Sequence, residues 1–455
     1  MIDLTANLAG IKSPNPFWLA SAPPTNSGYQ VMKAFDKGWG GAVWKTVGVP
    51  IVNVSSRYGG VNYNGQRLIG LNNIELITDR PLKDNLKDME EVKKYFPDNA
   101  VVASLMVESK EEWHQIVKDV ENAGADGIEL NFGCPHGMCE RGMGSAVGQE
   151  PEVLTTIVSW VKEAATVPVI VKLSPNISFI TDPAVAANKG GGDAISLVNT
   201  FQSLVGVDLD KFVPYPVVNG QSTNGGYCGP AIKPIALNMV KSCALHPDVG
   251  LPISGIGGIS TWRDAVEFML LGASNVQVCT AVMHFGFGII DELVSGLKIY
   301  MQDKGFTKVT DFVGKALPNV SEWGDLDLNY KVIAEINEDK CIGCQLCYIA
   351  CEDGAHQAIG LVERNDIPFK KEDGSESIDS NRVPYIIEEN CVGCNLCSLV
   401  CPVEDCITMV ERDTGKPSET WNQRVEKGTI PTEFNDKLAG GIGHFTPKPA
   451  DALKK

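Results

Sequence analysis

Short apolar runs alternate with amphipathic stretches through residues 1–310. The runs are Phe17–Ala22, Gly41–Val47, Val101–Met106, Gly127–Phe132, Val167–Leu173, Ala194–Thr200, Pro252–Ile259 and Asn275–Val282. Apolar residues recur at helical spacing between them, as in Lys110–Ala123, Glu152–Ala165, Ile232–Leu245 and Thr261–Leu271. Near-continuous apolar strands separated by helices imply a parallel sheet covered on both faces. Eight such units predict an α/β chain built on a (β/α)8 TIM barrel, with a doubly wound open sheet as the competing arrangement.

Polar residues gather at one end of these runs. Ser21, Lys45, Asn131, Lys172, Asn199 with Thr200, Gly257 with Gly258, and Thr280 stand at or just past the C-terminal ends of their strands. In a barrel, that face carries the active site. A single strand-end lysine or asparagine has a bland explanation as a snorkelled side chain or a turn former. Recurrence on several strands points instead to a ligand site. "GIGGIS" after the seventh run and "CTAV" at the end of the eighth occupy the common phosphate position of such barrels, where backbone N–H groups and a helix start bind the anion. The dinucleotide spacing G-x-G-x-x-G is missing there, so a mononucleotide cofactor is expected.

Charge and cysteine content extend the picture. The 455 residues carry 39 basic and 56 acidic side chains, a net of −17, which disfavours nucleic acid as a partner. No apolar run reaches the ~18 residues of a membrane span. The stretch "MIDLTANLAGIKSPNPF" lacks the basic flank and apolar core of a secretion signal, so a cytoplasmic location is expected. Of 14 cysteines, nine lie between Cys341 and Cys406, a density that reads as metal ligation in a chain of this kind.

Within that segment, "CIGCQLCYIAC" and "CVGCNLCSLVCP" repeat C-x2-C-x2-C-x3-C at an interval of 50 residues. This is the bacterial ferredoxin spacing for two [4Fe–4S] clusters, in which the fourth cysteine of each run serves the other cluster. Cys341, Cys344, Cys347 and Cys401 are therefore expected on one cluster, and Cys391, Cys394, Cys397 and Cys351 on the second. Structural zinc is the competing reading. Cys351 is followed by Glu352 where the pattern has proline, and Cys406 falls outside the ladder as a small buried hydrophobe. The expected organisation is a barrel over 1–310, a linker over 311–333, a ferredoxin-like α+β domain over 334–412, and a polar tail over 413–455. Residues 363–381 read as an inserted surface loop.

"GLNNIELI", "ELNFGCPHGMCERGMG", "VKLSPN", "GGYCGPAIKPIAL" and "GIGGI", in this order, resemble the flavin-dependent dihydroorotate dehydrogenase superfamily. With the two-cluster module behind them, the chain is similar to the catalytic subunits of bacterial dihydropyrimidine dehydrogenases. The resemblance implies FMN held by Ser21, Lys45, Thr46, Asn131 and Lys172 around the ring, and by Gly229, Gly257, Gly258, Thr280 and Ala281 at the phosphate. It implies a uracil or thymine ring read by Asn73, Asn131, Asn199 and Thr200, a set whose amides offer both donors and acceptors to the alternating carbonyl and N–H groups. It also implies a homodimer of catalytic subunits within a heterotetramer. Two positions depart from the family pattern: Gly133 stands where serine is frequent, and Cys139 where glycine is common.

Within this resemblance, reducing the 5,6 double bond takes a hydride from N5 of reduced FMN to C6 and a proton on C5. Cys134 is the expected proton donor, since a thiol with the ordinary pKa of ~8.5 is protonated near neutral pH. Its glycine-dotted loop reads as a lid, with Cys139 as rival acid and His136 and Arg141 as candidates to orient the closed form. No NAD(P)- or FAD-binding fingerprint occurs, so electrons are expected from a partner subunit bearing FAD and NAD(H), through the clusters to FMN. The alternatives are a dihydroorotate dehydrogenase, a related cyclic-imide reductase, and an electron-transfer subunit whose flavin does no substrate chemistry.

Overall fold

The computed structural model describes residues 2–48, 53–63, 65–134, 143–363 and 382–429. The chain divides into two compact units, Met1–Asn319 and Val320–Lys455.

In the first unit, eight parallel strands close into a barrel among the described residues: β1 (Phe17–Leu19), β2 (Gly41–Val43), β3 (Ala100–Met106), β4 (Gly127–Asn131), β5 (Val169–Lys172), β6 (Ala194–Leu197), β7 (Ile253–Ile256) and β8 (Ala273–Val278). Each pairs with its sequence neighbour, β8 pairs with β1, and β2 returns to β3 with Gly41 opposite Ala100. Closure removes the two edges that a doubly wound sheet would keep. Every residue of β3 is buried, as expected of a strand with apolar layers on both sides.

The helices α1 (Gly28–Asp36), α2 (Leu82–Tyr95), α3 (Lys110–Asn122), α4 (Pro151–Ala164), α5 (Thr181–Lys189), α6 (Lys233–Leu245), α7 (Trp262–Leu270) and α8 (Ile290–Lys304) follow the strands in turn. Helix α3 buries Trp113, Ile116, Val117 and Val120, one stripe at helical spacing, and starts on a Ser109–Glu112 capping box. A cap of this kind stabilises a helix by about 1 kcal/mol. Residues 311–319, expected as the start of the linker, pack on the barrel instead. Phe312 is fully buried, its ring 5.4 Å from Phe306 and 5.7 Å from Tyr300, because an aromatic side chain at the end of α8 still has apolar surface to cover.

Two excursions build a second layer. Tyr58–Tyr63 and Gln66–Asn73 follow β2, and Phe201–Ser203 and Gly225–Cys228 follow β6; together they form a four-stranded antiparallel sheet in which Asn73 lies opposite Gly226. These short strands come from separate loops, so their apolar pattern carries no signal of the pairing.

The second unit repeats one motif. Val332–Ile336 pairs antiparallel with Ile407–Glu411, and Ile359–Glu363 with Arg382–Ile386. A helix over Leu346–Gly354 lies in the first copy and a shorter one over Leu396–Leu399 in the second. The difference follows from Glu352 and Pro402. Proline disfavours helical backbone in the residue before it, so the second helix stops before Cys401, whereas the first runs on through Cys351. The described part of the 413–455 tail packs on residues 323–330 of the same unit: the Trp323 and Trp421 rings are 5.8 Å apart, and Asn329 Nδ2 donates to Pro417 O at 2.7 Å. No helix among the described residues is long and apolar enough to cross a membrane.

Candidate functional site

The C-terminal mouth of the barrel holds a cavity of about 1090 Å3, including the part open to solvent. The side chains singled out on separate strands converge on it. Ser21 follows β1, Lys45 and Thr46 follow β2, Asn131 ends β4, and Lys172 ends β5, all lining the wall. Asn199 and Thr200 follow β6, and the antiparallel layer contributes Asn73. Cys134 lines the same cavity, its side chain packed with Ile77, Met106 and Met143.

A hydrogen-bonded chain ties the amide groups together. Ser21 Oγ lies 3.2 Å from Thr46 Oγ1, which lies 2.9 Å from Ser104 Oγ. Asn131 Nδ2 donates to Thr46 Oγ1 at 2.9 Å, Asn199 Nδ2 donates to Asn131 Oδ1 at 3.1 Å, and Thr200 N donates to Asn199 Oδ1 at 2.7 Å. Asn73 Nδ2 donates to Gly226 O at 3.1 Å. Such bonds fix the carboxamide planes before any ligand enters, which lowers the ordering cost of binding.

Gly133 owes its identity to this packing. A Cβ there would stand 2.4 Å from Cβ and Nδ2 of Asn199, so the glycine admits the Asn199 side chain against the backbone. A side chain at Gly133, serine included, would require the Asn199 carboxamide to shift.

Both lysines face buried carboxylates. Lys45 Nζ lies 2.6 Å from Glu75 Oε1, which also takes Arg57 at 2.9 Å, while Tyr58 donates its hydroxyl to Glu75 Oε2 at 2.9 Å. Burial and the neighbouring Glu75 carboxylate raise the Tyr58 hydroxyl pKa well above its ordinary value, so it stays a donor. Lys172 Nζ lies 3.6 Å from Oε1 of Glu129, a fully buried carboxylate whose Oε2 accepts from Ser196 and Gln277. Glu75 and Glu129 were not among the residues singled out in the sequence. The signal was present: each interrupts an apolar run, Ile74–Leu76 and Ile128–Leu130, where a carboxylate needs a cationic partner.

At the other end, loops from three places meet. Gly229, Gly257 and Gly258 have φ of +102°, +131° and +78°. A Cβ on Gly258 would stand 2.9 Å from Gly229 O, and one on Gly257 2.8 Å from Ala236 Cβ. Thr280 and Ala281 begin a short helix beside them and line the cavity. At the start of α7, expected to contribute to an anion site, two backbone N–H groups are taken by a side chain of the helix itself. Asp264 Oδ2 accepts from Ser260 N at 2.9 Å and Thr261 N at 2.8 Å. Burial pushes the Asp264 pKa up, but Lys233 and these N–H groups outweigh it and hold the carboxylate ionised. Cys228 and Cys279 also line the cavity; burial pushes their thiols to about 11 and about 12, so both stay protonated at neutral pH. Cys228 accepts from Thr280 Oγ1 at 3.2 Å, at the glycine end. Cys139, His136 and Arg141 lie outside the described residues.

A ring cofactor with a phosphate tail fits this donor set: amides, hydroxyls and lysines line one part, while glycines leave backbone exposed in a cradle that side chains would fill.

In the second unit the cysteines separate into two groups. Cys341, Cys344, Cys347 and Cys401 line one hollow of about 310 Å3; Cys351, Cys391, Cys394 and Cys397 line another of about 360 Å3. Gly343 and Gly393, with Gln345 and Asn395, all take positive φ, which curls both C-x2-C loops round their hollows. Cys406 is buried beside the first group, its Sγ 3.7 Å from Asn337 O.

Comparison with known proteins agrees with this division. The family model described as dihydroorotate dehydrogenase matches residues 3–301, and a 4Fe-4S dicluster domain matches residues 334–409. The chain is 43% identical over 368 residues to the NAD-dependent dihydropyrimidine dehydrogenase subunit PreA of Escherichia coli strain K12, covering 80% of this chain and 89% of that protein. It is 42% identical to the chloroplastic dihydropyrimidine dehydrogenase (NADP(+)) of Arabidopsis thaliana, over 73% of this chain and 81% of the relative. It is 35% identical to the catalytic subunit of dihydroorotate dehydrogenase B (NAD(+)) of Thermococcus kodakarensis, over 69% and 98%. With its closed barrel over the first match and its paired cysteine repeats over the second, the chain belongs to the dihydroorotate dehydrogenase family and carries a 4Fe-4S dicluster domain.

Proposed function

We propose that this chain reduces the 5,6 double bond of uracil or thymine to the 5,6-dihydropyrimidine, with electrons brought by a separate FAD- and NAD(H)-binding subunit. The observation that carries the proposal is the single cavity shared by the Cys134 thiol, the four residues Asn73, Asn131, Asn199 and Thr200, and the two lysines. The names of the bacterial and plant relatives support the substrate class, and the word subunit in the bacterial name supports the partner.

Ser21, Lys45, Thr46, Asn131 and Lys172 would hold the ring of FMN, and Gly229, Gly257, Gly258, Thr280 and Ala281 its phosphate. Bound FMN supplies the hydride that C6 of the pyrimidine receives. Cys134, on the wall of the same cavity, gives its proton to C5 as general acid. The interlocked amides of Asn131 and Asn199, with Asn73 and Thr200, present fixed donors and acceptors to the ring edges. The two groups of four cysteines would each hold a [4Fe–4S] cluster, a one-electron relay feeding the barrel.

The pure chain loaded with flavin and iron should reduce uracil when given an artificial low-potential donor, and should fail with NADH alone. Robust NADH turnover by the single chain would overturn the partner. The second reading, a dihydroorotate dehydrogenase, is favoured by the archaeal relative. A panel of uracil, thymine and dihydroorotate separates the two.

A further inference from the structure

Among the described residues lining the barrel cavity, the charged side chains are Lys45, Glu75 and Lys172. Each cation stands against a carboxylate. The Lys45–Glu75 pair, at 2.6 Å, is about 94% buried on both sides. Glu75 lies two residues from Asn73 and two from Ile77, which packs on Cys134, so the pair stands where Lys45, proposed to hold the FMN ring, meets the part of the cavity proposed for the pyrimidine. Arg57 adds a second cation to the same carboxylate, and Asp79 balances Arg57 at 3.3 Å. Lys172 is answered by Glu129. The wall is thus densely charged yet neutral pair by pair.

From this geometry we infer that Glu75 is a specificity-determining residue: by neutralising Lys45 it makes the cavity select uncharged pyrimidines and reject those with an anionic substituent, such as orotate. The inference rests on the proposed pyrimidine reading and deepens it. An anionic ligand gains little from a lysine already held by a carboxylate, and its own charge meets that of Glu75, a carboxylate about 94% buried. Like charges brought together in such a place are strongly disfavoured, and specificity is often built by a repulsive element of this kind. Once the carboxylate is gone, Lys45 is left an unpaired cation beside the ring pocket, while Arg57 keeps Asp79.

The test titrates the flavin spectrum of the holoenzyme with uracil, orotate and orotamide, the neutral isostere of orotate. Wild type is expected to bind uracil and orotamide, and to bind orotate about tenfold or more weakly than orotamide. In Glu75→Gln, orotate should tighten by about tenfold or more while uracil changes little, and Lys45→Gln added to it should abolish the gain. Equal binding of orotate and orotamide by wild type overturns the inference without any variant, as does a Glu75→Gln enzyme with no gain for orotate. If wild type binds uracil and the charge contrast is missing, the inference alone fails; if no pyrimidine perturbs the wild-type flavin, the pyrimidine reading fails with it.

Discussion

Cys134→Ala is expected to keep flavin and pyrimidine binding and to lower uracil turnover by about 10²–10⁴-fold, the usual contribution of a positioned general acid. The ring contacts proposed for Asn73, Asn131, Asn199 and Thr200 do not involve the sulfur, so binding should survive. Loss of the sulfur from the small cluster of Ile77, Met106 and Met143 removes only one heavy atom, a modest packing change. Cys134→Ser, close in shape but a far weaker acid, should be nearly as slow. The measurement is turnover with an artificial donor alongside a uracil titration of the flavin spectrum. Unchanged turnover in the alanine variant would assign the proton elsewhere. Cys139, the rival acid of the same loop, would then be next, with Cys228 and Cys279, protonated thiols on the cavity wall, after it.

The second large effect concerns the iron–sulfur ligands. Each hollow draws three cysteines from one repeat and the fourth from the other, so pairs of substitutions distinguish this assignment from one cluster per repeat. Cys344→Ala alone is expected to remove up to about half of the iron and to abolish NADH-driven turnover in the complex with the partner, with flavin content retained. Adding Cys401→Ala should remove no further iron, because both residues serve the same hollow. Adding Cys351→Ala instead should empty both. Iron and acid-labile sulfide analysis of anaerobically purified protein reads this out, and the opposite pattern would sink the crossed assignment.

Much of this was legible before any coordinates. Lysines and asparagines at the ends of apolar runs marked the barrel mouth because a buried strand tolerates such residues only where the backbone emerges. The cysteine repeats declared their grouping through spacing alone. Glu75 and Glu129 were harder to see, since a lone acidic residue in an apolar run announces a partner without naming it. In the sequence Gly133 was only a departure from the family pattern; its close approach to Asn199 gives it a packing reason. The helix start at Thr261 matched the phosphate position, yet the N–H groups of Ser260 and Thr261 are taken by Asp264, a local competition that spacing rules do not weigh.

By itself the sequence determined the periodicities, and with them the parallel strands, the amphipathic helices and the soft-ligand repeats, because these follow from local geometry and side-chain chemistry. Only the tertiary structure decided which charges meet. Lys45 and Glu75 are brought to 2.6 Å by a loop folding back over the barrel, and Asn73 reaches the cavity through pairing with a strand that follows β6. The reason is physical: contacts between residues far apart in the chain depend on how whole layers pack, and a pattern read along one dimension holds no term for that.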